Sequence, residues 1–125
     1  MYTILDPEAV KVIFVNGETG ADAAHFTVGM LPTMVRAALI DEIKPGSNDM
    51  VTKTKLCKYG LKAWKLLDSK GQEVKFETEE SYLTGAGKVL GLSERGLNFL
   101  SVKAVNDLSA EIIKLNFVTE DAEKN

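Results

Sequence analysis

At 125 residues, with 45% apolar and 26% charged side chains and a net charge of −3, the chain fits one globular domain and excludes wholesale disorder. Its longest apolar runs, near Val12 and Leu39, fall far short of the ~20 residues that span a bilayer, and its single cysteine excludes an internal disulfide or a thiolate metal cage. The charge is uneven: residues 51–70 carry six lysines against Asp68, a basic island between acidic flanks.

Residues 1–10 read as a lead-in with a turn at Asp6, Pro7 and Glu8. Acids ahead of any apolar segment reverse the order of a secretory leader, so the chain is expected to stay in the compartment where it is made. Lys11, Val12, Ile13, Phe14 and Val15 are mostly β-branched or aromatic and predict a strand. Asn16-Gly17 predicts a turn, and residues 24–28 a second strand pairing with the first. His25, the only histidine, has no partner at the spacing a metal site or a triad needs; it reads as a strand residue.

Pro32 followed by Met34, Val35, Ala38, Leu39 and Ile43 at three- and four-residue spacing predicts an amphipathic helix over residues 32–44, stopped by Pro45-Gly46. Ser47, Asn48 and Asp49 supply cap chemistry for a second helix over residues 50–59. Its apolar side would hold Met50, Val51, Thr54, Leu56 and Cys57, with the lysines opposite. Cys57 reads there as a half-buried small residue rather than a nucleophile.

Gly60 then releases the chain from helix into a β-hairpin closed around Asp68-Ser69-Lys70-Gly71. Strict alternation puts Trp64 and Leu66 on the buried face, Leu61, Ala63, Lys65 and Leu67 on the other, and returns Val74 and Phe76 to the core. Glu77, Glu79 and Glu80 ahead of Tyr82 and Leu83 suit a helix start. Residues 84–91 fail as a Walker loop, because Tyr82 stands where its first glycine belongs and Val89 where its hydroxyl does. They fail the dinucleotide fingerprint too, since the third glycine is Gly91, one residue late. A flexible connection or interrupted helix is expected. Ser93 starts a final helical region with Leu97, Leu100, Val102, Val105, Leu108, Ile112 and Leu115, interrupted at residues 106–109, and residues 119–125 form a polar tail.

The expected architecture is therefore α+β: small antiparallel hairpins packed with four to five helices in one domain over residues 1–125, with 1–10 and 118–125 as flexible ends. No serine, acid or tyrosine pair occurs at a spacing that catalysis demands, and Asp41-Glu42 reads as solvated. No catalytic, cofactor-binding or metal-binding residue is assigned. The island of Lys53, Lys55, Lys58, Lys62 and Lys65 offers a nucleic-acid reading, but it lacks the arginines that contact phosphate and base edges bidentately, and a solvated face is favoured.

A basic helix leads into Tyr59-Gly60-Leu61-Lys62-Ala63-Trp64, followed by Leu67-Asp68-Ser69-Lys70-Gly71-Gln72-Glu73-Val74-Lys75-Phe76 and a helical C-terminal region. Over residues 51–117 this resembles the small tail-assembly proteins of tailed bacteriophages and prophages. The resemblance implies a non-enzymatic chaperone or accessory protein that holds tape-measure or tail-tube subunits in the cytoplasm of the host bacterium during virion assembly. It equally allows a virion component, such as a tube or completion protein. A groove for a partner helix would draw on Met34, Leu39, Ile43, Leu100, Leu108 and Ile112, unless the chain's own core takes them. Trp64, Gly60, Gly71 and Phe76 would be structural anchors. The implied partners are phage tail proteins or further copies of the chain, with neither a cofactor nor a membrane.

Overall fold

Residues 5–15, 23–43 and 49–117 are described by a computed structural model of the chain. The expected turn at Asn16-Gly17, the helix stop at Pro45-Gly46 and the tail over residues 119–125 lie outside the described residues. Strand β1 (Val10–Phe14) pairs antiparallel with β2 (His25–Gly29), and β2 pairs antiparallel with β3 (Leu61–Lys65), giving the order β1-β2-β3. Ile13, Phe26, Val28, Leu61 and Trp64 pack into the core from this sheet.

Strict alternation fails in β3, for a local reason. Leu61 pairs with Val28 and Ala63 with Thr27, so Lys62 is an extra residue, a β-bulge. The bulge resets the pleat, and Leu61 and Trp64 both become buried instead of facing opposite ways.

Helix α1 (Thr33–Leu39) passes into a 3-10 turn, Ile40–Glu42. Val35 and Leu39 are buried, but Met34 is 57% exposed and falls off the apolar face assigned to it. Helix α2 (Met50–Gly60) starts where the cap chemistry placed it: Asp49 accepts from Val51 N–H at 2.9 Å and from the Thr52 hydroxyl at 3.0 Å. Thr52, Leu56, Cys57, Tyr59 and Gly60 are its buried positions, whereas Val51 is exposed.

Gly60 is the last residue of α2, and its role is close approach. A Cβ there would lie 2.7 Å from Ile112 Cδ1, on helix α4 (Val102–Asn116). That helix packs along α2 and against β2. Buried Asn116 fastens its C-terminal end: its Oδ1 accepts from Leu31 N–H at 2.7 Å, and its Nδ2 donates to the carbonyls of Gly29 and Ile112 at 3.3 and 2.9 Å. All these polar atoms are satisfied, as burial requires.

Two expectations for the C-terminal half are overturned. Residues 78–91 are not helix or flexible connection but a hairpin of β4 (Thr78–Leu83) and β5 (Gly87–Leu92). The acidic run mimics a helix start, yet positive φ at Gly85 and Gly87 turns the chain back within three residues. The hairpin then rests on α2 through the Tyr59–Ser81 hydroxyl pair at 2.9 Å and the Lys58 ammonium on the Leu92 carbonyl, also at 2.9 Å. The final region does break, but after the short helix α3 (Glu94–Leu97), not at residues 106–109. Ser101 caps α4 by accepting from Ala104 N–H at 3.0 Å, and α4 continues through Asn106 and Ser109. Ser109 satisfies its own hydroxyl on the Asn106 carbonyl at 3.1 Å, so the polar residues there do not stop the helix.

Candidate functional site

The closed end of the hairpin after β3 is built by one carboxylate. Asp68 Oδ1 accepts from Lys70 N–H at 2.8 Å and Gln72 N–H at 2.9 Å, while its main chain pairs with Gln72 and Gly71. Gly71 takes φ 79° to complete the turn. Leu67 and Glu73 then form a single β-bridge, and the rest of the return arm, residues 74–77, belongs to no strand. Trp64 holds that arm down. Its indole N–H donates to the Val74 carbonyl at 2.8 Å, and its ring meets Phe26 and Phe76 edge-on at centroid distances of 6.3 and 5.1 Å.

Between the return arm and α3 lies a cleft of about 230 Å³. Glu73, Val74, Lys75 and Glu77 line one wall; Ser93, Arg95, Gly96 and Phe99 line the other. Ser93 is occupied as the cap of α3, accepting from Gly96 N–H at 3.0 Å. Glu73, Lys75, Glu77 and Arg95 are ionisable and, among the described residues, form no ion pair. Phe99 is half exposed at the rim.

A second surface is the outer face of the three-stranded sheet. Val10 and Val12 are 60% and 44% exposed, and Phe14, stacked edge-on against His25 at 5.8 Å, is only partly covered. Thr27 and exposed Ala63 continue the same face across the register. The inner face is covered by α4, to which Lys11 is tied by an ion pair with Glu111 at 2.5 Å. That contact holds the Glu111 carboxyl below the ordinary glutamate pKa.

The six residues considered for a partner groove do not come together as one. Leu39, Leu108 and Ile112 lie wholly within the core, Ile43 and Leu100 are half-buried against it, and Met34 alone is well exposed. The lysine island is likewise dispersed. Lys53 donates to Asn106 at 2.8 Å, Lys55 pairs with Glu42 at 3.2 Å, Lys58 reaches Glu79 at 3.4 Å, and Lys62 donates to the Tyr59 carbonyl at 3.2 Å. Lys65 is engaged as well. Partial desolvation lowers the Lys62 pKa, the opposite of what a phosphate would do.

Cys57 is buried, and burial pushes its thiol up to about 12, so it is protonated and inert at neutral pH. His25 Nδ1 contacts the Ala23 carbonyl at 2.8 Å on β2. Among the described residues no group of three or more His, Cys, Asp or Glu is placed to hold a metal ion, and no helix is long and apolar enough to cross a membrane. Sequence reasoning passed over Arg95, Phe99 and Glu77. The alternation Glu73, Lys75, Glu77 is the available signal, but the sequence reading takes Glu77 into a helix start with Glu79 and Glu80. Set against family models, curated proteins and solved structures, the chain matches none.

Proposed function

We propose that the chain is a non-enzymatic protein-binding module that acts in assembly of a phage or prophage tail. The observation that supports binding is the open sheet face: Val10, Val12 and Phe14 stand on an outer strand with no covering layer among the described residues. Aliphatic and aromatic side chains on an uncovered edge strand favour association with another chain, since solvent exposure of such a strip is otherwise a liability. The tail-assembly context rests on the resemblance over residues 51–117, whose hairpin and helical C-terminal region define the likeness. Tape-measure or tail-tube subunits are the partners in this reading.

Co-expression with the tube and tape-measure proteins encoded in the same genome tests it. A stable complex is expected, weakened when Val10 and Val12 are replaced by serine. Failure of every tail protein to co-purify would remove the support. Recovery of the chain in purified particles would assign it as a virion component; recovery only in infected-cell lysate would assign it as a chaperone.

A further inference from the structure

We infer that the outer edge of β1 pairs with the same edge of a second copy of the chain, antiparallel about a two-fold axis at Val12, so that one sheet runs through both copies. The inference goes beyond the tail-assembly reading: it engages the main chain of β1 and leaves the outer sheet face uncovered.

The phase of the β1–β2 ladder fixes which groups are available. In an antiparallel pair, residues that exchange both main-chain bonds with the partner strand alternate with residues whose N–H and C=O point the other way. Val15 N–H donates to the Ala24 carbonyl at 2.9 Å, and the same register sets Ile13 opposite Phe26 and Lys11 opposite Val28. Lys11, Ile13 and Val15 therefore direct their main-chain groups at β2. Val10, Val12 and Phe14 direct theirs at the opposite edge, where they make no hydrogen bond among the described residues. The far side of the sheet is occupied. There the return arm lies against β3, with Val74 N–H on the Leu66 carbonyl and the Trp64 indole on the Val74 carbonyl, and the bulge at Lys62 interrupts the edge further. Among the described residues, β1 carries the free edge of this sheet.

Three properties select a second copy as the occupant. First, a row of free N–H and C=O groups takes an extended strand, and β1 lacks the proline or bulge that keeps an edge unpaired. Its one charged residue, Lys11, is drawn to the inner side by Glu111 on α4, so no ammonium faces the joint. Second, β1 is its own complement. Pairing centred on Val12 sets Val12 against the partner's Val12, Val10 against the partner's Phe14, and Phe14 against the partner's Val10. Each is a favourable β-branched or aromatic cross-strand pair, and each joins residues whose main-chain groups already point outward. Third, with one edge free the addition closes at two copies, whereas an open chain of copies would need a second edge. The two-fold axis stands normal to the sheet, so both copies of α4 share one face and the two apolar strips merge on the other.

The test uses the full chain, weighed by analytical ultracentrifugation from micromolar to millimolar concentration. A joint of five residues a side is smaller than a standard interface, so the mass should climb from one chain toward two across that range. As it climbs, the amides of Val10, Val12 and Phe14 should exchange more slowly, while those of Lys11 and Ile13, already bonded to β2, should not change. Val12→Lys and Val12→Glu each bring like charges face to face on the axis and should stay monomeric; mixed in equal amounts they should pair, because unlike charges then meet. Val12 is exposed, so neither substitution enters the core. A wild-type chain monomeric at millimolar concentration, a dimer that survives both substitutions, or a mixture that stays monomeric would overturn the assignment. If either variant fails to fold, the wild-type amides decide: slowing centred on Thr78, Glu80 and Tyr82, or none that alternates along β1, refutes the pairing. Capture of tail proteins by a chain that never pairs sinks this inference alone. A dimer that ignores tail proteins sinks only the tail-assembly reading.

Discussion

Replacing Gly60 with alanine sets two known effects against each other at one point in the fold. Within a helix, alanine is favoured over glycine by about 1 kcal/mol. In this helix, however, the new methyl would lie 2.7 Å from Ile112 Cδ1 and 2.9 Å from both Cγ atoms, distances that packed carbon atoms do not adopt. Forcing an extra methyl into a filled core costs about 1–3 kcal/mol. Since Ile112 is fully enclosed, it has little room to yield. Gly60→Ala is thus expected to destabilise by up to about 2 kcal/mol, once the ~1 kcal/mol helical gain offsets part of the overpacking.

The Ile112→Ala background decides the matter. That substitution alone costs about 2–5 kcal/mol, yet it empties the space the new methyl needs, so Gly60→Ala should become stabilising by about 1 kcal/mol there. Urea unfolding followed by fluorescence of Trp64, the only tryptophan, gives each corner of the cycle. If Ile112→Ala leaves too little folded protein, Ile112→Val removes the nearest atom and should relieve part of the penalty. A wild-type background in which Gly60→Ala stabilises, or an equal penalty in both backgrounds, would refute the close-approach account.

Three further outcomes are expected. Trp64→Phe removes the indole hydrogen bond to the Val74 carbonyl along with part of a buried ring, and should cost about 1–3 kcal/mol by thermal unfolding, with the amides of the return arm exchanging faster. Ser101→Ala removes the α4 cap on Ala104 N–H and should cost about 1 kcal/mol in urea unfolding, whereas a helix running unbroken from α3 would not notice it. The Cys57 thiol is raised from 9.0 to about 12 in the fold, so above pH 9 the unfolded chain holds fewer protons and stability must fall as pH rises from 9 toward 12. Subtracting the profile of Cys57→Ala isolates this slope, at most about 1.4 kcal/mol per pH unit; identical alkaline profiles would contradict the burial of the thiol.

Local signals settled much of the chain. The β-branched run at Val12 and Ile13 favours a strand through the stiffness of its own side chains, although its ladder is completed by Thr27 and Phe26 on β2. The cap at Asp49 and the turn at Asp68 are closed by bonds within a few residues and need nothing distant to satisfy them. The same holds for Trp64, whose size alone demands burial. Helix periodicity in the last region was legible as well, although its break was misplaced: at 106–109 the side chains suggested an interruption, but Ser109 bonds back to Asn106 and packing of Leu108 and Ile112 carries α4 through.

Tertiary structure decided what depends on a neighbour. The acidic run at Glu79 and Glu80 became a strand because β5 and the α2 face were there to receive it, while propensity alone favoured a helix start. Lys62 entered as a bulge only because Val28 and Thr27 fix the register of β3 from the other side. The cleft exists because two unconnected choices coincide: the ladder ends at Ser93, and Trp64 pins the arm opposite it. A free edge is defined by the missing partner, and a missing partner has no signature in one dimension. Sequence therefore carried the elements and their caps; spatial packing decided which edges and faces were left open.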